Sequence, residues 1–392
     1  MDTLPDFDYL IAGGGAAGLS LAYHISQEPR LAGKRVLVLE PAAKDQNDRT
    51  WSFWADEPSL FDSIVAHEWD RLAFRSPEFE RVFKLARHRY KMIRGLDFYQ
   101  FVRAALSQNP QFTWVQAQVK TLDNVAHGAR ARTTAGEFRA HYAFDSRPPD
   151  LAKLKQPHRY RYLLQHFVGW EVETEQDVFD PSTVEFMDFW GEQHQEARFI
   201  YVLPFSSRRA LVEYTLFSTE VLPKEAYETE IRQYLTQHLG VREFQVKAEE
   251  VGAIPMTDHP LPGRAGRHII NLGTRAGRAK PSTGYAFKRI QTHSARLVQG
   301  LAATGHPPQD LTGDQWQFGL FDTLLLDIMQ RQGEITRDIF TDLFRRNPVE
   351  RIFDFLDERT SPWENLQIMN SVSPWPFLRS IGHVLRGRPG QR

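Results

Sequence analysis

The sequence predicts an α/β protein: a parallel-type sheet domain divided in two by an inserted antiparallel sheet, followed by a helical tail. Three observations predict it. An apolar strand runs straight into a glycine turn at residues 9–18. Long β-rich segments fill residues 160–217. Beyond residue 310 the pattern becomes helical and rich in Phe and Leu. The expected parts are 1–155 and 250–300 for the divided domain, 156–249 for the inserted sheet, and 301–392 for the helical region.

The first strand, Tyr9-Leu-Ile-Ala, meets Gly13, Gly15 and Gly18, and a second strand, Val36-Leu-Val-Leu-Glu40, follows at βαβ distance. That spacing is a dinucleotide fingerprint. Gly13 permits the tight turn, Gly15 lets backbone approach a pyrophosphate, and Gly18 lets the helix pack on the sheet. The phosphates would rest on free N–H groups at the helix start, including those of Ala16 and Ala17. Glu40, ending the second strand, is placed to accept hydrogen bonds from ribose hydroxyls. Arg49-Thr-Trp51-Ser-Phe53-Trp is an aromatic cluster that either fills the core or lines a cofactor and substrate channel.

Residues 96–107 carry apolar side chains at helical spacing, and strand-like runs follow at 112–119 and 140–144. Asp145 and Arg147 stand just past the latter, before Pro148-Pro149 breaks the pattern. The β-rich segments are 160–172, 183–190, 198–205 and 209–217; residues 225–239 read as a helix. Gly273-Thr-Arg-Ala-Gly277 and Pro281-Ser-Thr283-Gly284-Tyr285 precede a helix over 285–301. A glycine turn at a helix start offers backbone N–H groups to a flavin ring, and an ordinary surface loop also accounts for it.

Composition excludes several classes. The chain has 392 residues, a net charge of −1 and no Cys. Disulfides, thiolate metal sites and Cys nucleophiles are therefore out, and nothing suggests a nucleic-acid partner. The 14 His show no metal-ligand spacing, so no metal is expected. No Ser stands in a G-x-S-x-G elbow. No apolar run reaches the ~18 residues of a membrane-spanning helix, and no signal-like segment follows Met1, so a cytoplasmic location is expected.

Two carboxylates are candidate acids. Strand alternation puts Leu211, Glu213 and Thr215 on one face and Val212, Tyr214 and Leu216 on the other. Glu213 sits among apolar residues, and burial would raise its pKa and keep it protonated. Asp188 is flanked by Met187 and Phe189. Both also read as solvent-facing residues of a half-exposed sheet.

The chain resembles the flavoprotein lycopene cyclases, the carotenoid β-cyclases of bacteria, cyanobacteria and plants. The resemblance is carried from residue 8 to about 300 by Ala12-Gly-Gly-Gly-Ala-Ala-Gly-Leu, Thr50-Trp-Ser-Phe, Phe186-Met-Asp188, Leu203-Pro-Phe205-Ser-Ser, Val212-Glu213-Tyr-Thr, Ile254-Pro-Met and Pro281-Ser-Thr-Gly-Tyr285. It implies a glutathione-reductase-like FAD fold of the aromatic-hydroxylase type. It implies FADH2-dependent, non-redox cyclisation of the ψ ends of lycopene to β-ionone rings, through γ-carotene to β-carotene, with NAD(P)H as reductant. Glu213 matches the first acid of the family's Glu-(Glu/Asp)-Thr motif, and Asp188 the acid of Phe-Met-Asp. Tyr214 stands where many members carry a second acid, which concentrates the acid role on Glu213. Arg49, Asp145, Gly273, Gly277, Pro281, Thr283, Gly284 and Tyr285 are expected as further cofactor contacts, and Trp51, Phe53, Phe186, Phe205 and Tyr214 as substrate contacts. A flavin monooxygenase or prenyl reductase on the same scaffold, and a non-catalytic flavin- or carotenoid-binding protein, are the competing readings.

A membrane-dwelling C40 substrate requires contact with a bilayer surface, and other carotenoid-pathway enzymes are further expected partners. Trp375, Phe377, Leu378, Ile381, Val384 and Leu385, with Arg379, Arg386, Arg388 and Arg392, form a basic amphipathic segment with no acid after Glu364. A terminal helix docked on the core with exposed arginines reads equally well.

Overall fold

The computed structural model describes residues 6–155, 160–311 and 315–385. Along the chain come β1 (Phe7–Ala12), α1 (Ala16–Ser26), β2 (Val36–Leu39), β3 (Thr50–Ala55), β4 (His67–Trp69), β5 (Arg71–Ser76), β6 (Phe79–Lys84), β7 (Arg89–Arg94), α2 (Gly95–Ser107), β8 (Phe112–Val115), β9 (Val119–Val125), β10 (Gly128–Thr133), β11 (Gly136–Asp145) and α3 (Leu151–Leu154). Then follow β12 (Tyr162–Thr174), β13 (Thr183–Asp188), β14 (Ala197–Pro204), β15 (Arg209–Ser218), α4 (Lys224–Gln233), β16 (Phe244–Thr257), β17 (Ile269–Asn271) and α5 (Phe287–Thr304). The tail is helical: α6 (Trp316–Arg331), α7 (Ile335–Arg346), α8 (Val349–Leu356), α9 (Pro362–Ser371) and α10 (Pro374–Leu385).

β1 and β2 are buried on both faces, which is why they read as unbroken apolar runs. They lie in a sheet of order β8-β2-β1-β11-β10-β9, with β17 also paired to β11. Pairings among β1, β2, β8, β11 and β17 are parallel. Leu19, Leu21 and Ile25 of α1, Val102 of α2 and Leu297 of α5 pack with Ile11, Val36 and Val38 on one side. Alanines of β10 and β11 cover Leu10, Leu37 and Leu39 on the other.

The second sheet runs β16-β12-β15-β14-β13-β5-β6, antiparallel except at β13–β5. A third, smaller one, β3-β7-β4, bridges the two. α4 continues into a five-residue π-helical turn, Tyr234–His238, and packs on one face of the large sheet through Tyr227, Ile231 and Tyr234. The opposite face looks towards the helical tail, where Phe344 and Phe353 join its core.

Two departures from expectation follow from non-local pairing. β5 and β6 come from within 1–155 yet join the inserted sheet, and the expected boundary at 249/250 falls inside β16. β16 escapes the sequence reading because its first half is polar and exposed at the sheet edge. Among the described residues, no helix is long and apolar enough to cross a membrane.

A candidate active-site cavity

The glycine turn after β1 is built by two different constraints. Gly13 has φ +106°, and a Cβ on Gly18 would lie 1.9 Å from the Gly13 carbonyl oxygen. Gly15 differs: a Cβ there would meet nothing within 4 Å, because the residue borders a large cavity. Gly15 is the N-cap of α1, which has no side-chain cap and no acid in its first turn, so its N-terminal donors are available to an anion.

That cavity, about 540 Å³, lies where the two large sheets and the tail meet. Gly15, Ala16, Ala17, Arg49, Gly273 and Thr274 line the end nearest α1. Trp51, Ser52, Thr283, Gly284 and Tyr285 line it further on, and Phe186, Phe199, Leu211, Phe217 and Phe344 give it an apolar stretch. Two lining side chains, Thr283 through Oγ1 and Gln165 through Oε1, carry buried polar atoms with no protein partner. Together with the open N-terminus of α1 they fit a dinucleotide: the donors at Gly15–Ala17 would hold its phosphates, and Thr283 and Gln165 would meet polar atoms of its ring.

Glu213 faces the apolar stretch from the centre of β15. Only 8% of its surface is exposed. Burial, then the charge of Glu250, pushes its carboxyl up to about 8, and the hydrogen bond donated by the Thr215 hydroxyl at 2.5 Å opposes this. At neutral pH such a group is mostly a carboxylic acid. Three phenols stand beside it: the Tyr90 hydroxyl is 2.8 Å from that of Tyr201 and 3.0 Å from that of Tyr285. Burial is the main cause holding all three well above their ordinary pKa, and each also feels the Glu213 charge. The Tyr285 ring is parallel to that of Phe186, with centroids 6.4 Å apart.

Several expected contacts lie elsewhere. Asp188 does not line the cavity. The pairing of β13 slips between Glu185 and Asp188 against both neighbours, so Phe186 and Met187 both reach the cavity while Asp188 turns to the α4 side. There the Tyr234 hydroxyl donates to it at 3.1 Å, and His238 stands 3.5 Å away. Burial still pushes it up to about 6. Tyr214 alternates to the same side, where Arg198 donates to its hydroxyl at 3.3 Å. Phe205 stacks on His67 at 4.7 Å, and Phe53 on Phe287 at 4.8 Å, both outside the cavity lining.

At the cofactor end, Glu40 is tied to the glycine turn and to its own loop, accepting from the Gly14 N–H at 2.6 Å and the Ala42 N–H at 2.9 Å. Asp145 is committed to Arg147 at 2.8 Å and Arg275 at 3.5 Å. Gly277 closes a 3₁₀ turn at φ +69°, and neither it nor Pro281 borders the cavity. Gly13 and Gly18 shape the turn and do not border the cavity. Sequence reading missed Glu250, Gln165, Tyr90 and Tyr201. The cavity position of each depends on sheet pairing.

Residues 8–381 match the family described as "Lycopene cyclase protein". The chain is 25% identical to a chloroplastic neoxanthin synthase of Solanum tuberosum, covering 96% of this chain and 83% of the relative. It is 27% identical to a lycopene beta-cyclase of Pseudescherichia vulneris, covering 98% and 99%. Among solved structures, a flavoprotein/dehydrogenase from Cytophaga hutchinsonii shares the fold at TM-score 0.66 and 12% identity, covering 97% and 98%. The architecture is that of an aromatic-hydroxylase-type FAD-binding fold with a helical C-terminal region.

Proposed function

The chain belongs to the lycopene cyclase family, and from that premise we propose that it closes the ψ ends of lycopene into β-ionone rings, by way of γ-carotene, with Glu213 as the proton donor. The observation that carries this reading is a buried carboxyl, its pKa pushed up by burial, facing an apolar, aromatic-lined cavity. Protonating a terminal alkene creates a tertiary cation. That requires an acid kept neutral in a dry site and surroundings that favour positive charge. Burial of Glu213 meets the first requirement. The π-faces of Phe186 and Tyr285 serve the second, since cations are attracted to aromatic faces. Phe199, Leu211 and Phe217 exclude the water that would trap the cation as an alcohol. Loss of a ring proton then forms the new double bond, so atoms and electrons balance without net redox change.

FAD fits the α1 end of the cavity, held by Gly15, Ala16, Ala17, Gly273, Thr274 and Thr283. When bound and reduced, with NAD(P)H as electron source, it supplies negative charge that favours a nearby cation.

The substrate is drawn from a membrane surface, and the protein is proposed to be cytoplasmic and peripherally attached. α10 docks on α6 by one face, with Ser380 donating to the Leu324 carbonyl at 3.2 Å. It turns Trp375, Leu378 and Leu385 outward. Arg386, Arg388 and Arg392 lie outside the described residues.

Expression in a lycopene-accumulating bacterium tests the reading. Cyclised carotenoids should appear. In deuterated water each ring should gain one deuterium, and purified protein with its flavin held reduced should consume no further reductant per ring. Unchanged lycopene, or reductant consumed in proportion to product, would return the chain to the reductase or monooxygenase class.

A further inference from the structure

Glu213 belongs to a row that crosses four strands of the large sheet. Gly169 of β12 pairs with Glu250 of β16 on one side and with Glu213 of β15 on the other. Glu213 in turn pairs with Tyr201 of β14. Directly opposed residues project to the same face of a sheet. Both glutamates border the cavity. Their Cα atoms are two strand spacings apart, roughly 10 Å, and the strand between them has no side chain at that position. A Cβ on Gly169 would stand 3.4 Å from Glu213 Cβ and 3.1 Å from Leu211 Cδ1. The missing side chain leaves bare backbone between the two positions, and Glu213 feels the charge of Glu250 across it.

Their surroundings differ. Glu250 Oε1 accepts from the Thr50 N–H at 2.9 Å. Arg49 favours its charge, and Asp48 opposes it. Glu213 has the Thr215 hydroxyl and the phenols of Tyr90, Tyr201 and Tyr285 around it. Burial disfavours charge on both glutamates. Two carboxyls in one poorly solvated space resist double ionisation, so the pair retains a proton into the neutral range. The amide and guanidinium beside Glu250 draw the negative charge there.

We propose that Glu213 and Glu250 act as a carboxyl pair holding one proton across the Gly169 gap, with Glu250 the charged member that keeps Glu213 in its acid form. The proposal rests on the cyclase reading for its chemistry. Glu213 gives its O–H proton to the alkene carbon and keeps the electron pair, so both carboxyls are then charged beside a cation. When the ring C–H bond breaks, its electrons form the ring double bond and its proton returns to the pair. No acid or base is consumed.

The test uses flavin-loaded full-length protein with lycopene in liposomes. Glu250→Gln removes the neighbouring charge and should lower the pKa of Glu213. Its rate relative to wild type should therefore fall at least tenfold more at pH 8 than at pH 6, while Glu250→Asp keeps a wild-type-like profile. A pH-independent loss in Glu250→Gln would mean a merely structural role, and an unchanged profile would mean none; either overturns the proposal. Melting temperatures give a readout that does not depend on cyclisation. At pH 8, the stability changes of Glu213→Gln and Glu250→Gln should be non-additive in the double variant. Additive values overturn the pair even if rings form. If wild type forms no rings but the melting data couple, the cyclase reading fails and the pair stands.

Discussion

The two faces of the large mixed sheet each bury a carboxyl, and only one of them fronts open space. On the α4 face, Asp188 is met by Tyr234, His238 and the Arg75–Glu185 pair, where Arg75 Nε donates to Glu185 at 2.8 Å. On the same face, His166 lies 2.7 Å from the Ser218 hydroxyl and 2.6 Å from that of Tyr227. Side chains there find their partners within the protein. On the cavity face, Glu213 has the Thr215 hydroxyl, and beyond it lies room for a substrate. Burial with a raised pKa is common to both carboxyls. What separates them is the unfilled volume in front of Glu213, and the proposed role of proton donor rests on it.

The largest effect should come from filling that volume. Gly15→Val puts a side chain into the space at the start of α1, where a Cβ now meets nothing within 4 Å. Flavin binding should be abolished, and turnover with it, while circular dichroism stays native. Normal flavin content in this variant would mean that the open space is not the phosphate site.

A smaller effect separates the two carboxyls by pH. Glu213 rises from 4.5 to about 8 on folding and Asp188 from 3.8 to about 6. A carboxyl raised on folding makes the native state bind more protons than the unfolded one. Stability therefore falls as pH rises from the unfolded towards the folded pKa, then levels off. Glu213→Gln should remove a fall extending to about pH 8, whereas Asp188→Asn should remove only one that ends near pH 6. Melting temperature against pH checks this. Identical profiles for the two variants would erase the distinction between the faces.

The smallest effect is expected at Tyr214. Tyr214→Phe loses the hydrogen bond from Arg198 on the α4 face. Turnover should change by less than about threefold, with a loss of stability on the order of 1 kcal/mol. A large loss of turnover with unchanged melting would put this ring in contact with substrate.

Much of this contrast was legible in the sequence, but unevenly. The βαβ turn was readable because its glycines and apolar strands are contiguous, and the alternation in β15 correctly separated Glu213 from Tyr214. The side that Asp188 faces is not legible in the sequence, because one irregularity in β13 pairing sets it. Strands β3 to β7 were largely invisible, since residues 50–94 mix aromatic and charged side chains without a clean period. Glu250 stands next to Glu249, and nothing in the sequence around it marks it as a cavity residue. Only its pairing with Gly169, 81 positions earlier, brings it opposite Glu213.

The most direct test of the account compares ring formation by Glu213→Gln and Asp188→Asn, each purified with matched flavin content and given lycopene in liposomes. Glu213→Gln keeps the shape of the side chain but has no proton to give. It should lose about 10²–10⁴-fold in rate, as expected when a general acid is removed, while Asp188→Asn should stay within about tenfold of wild type. Near-normal cyclisation by Glu213→Gln, or a loss confined to Asp188→Asn, would contradict the assignment of the proton donor to the cavity face.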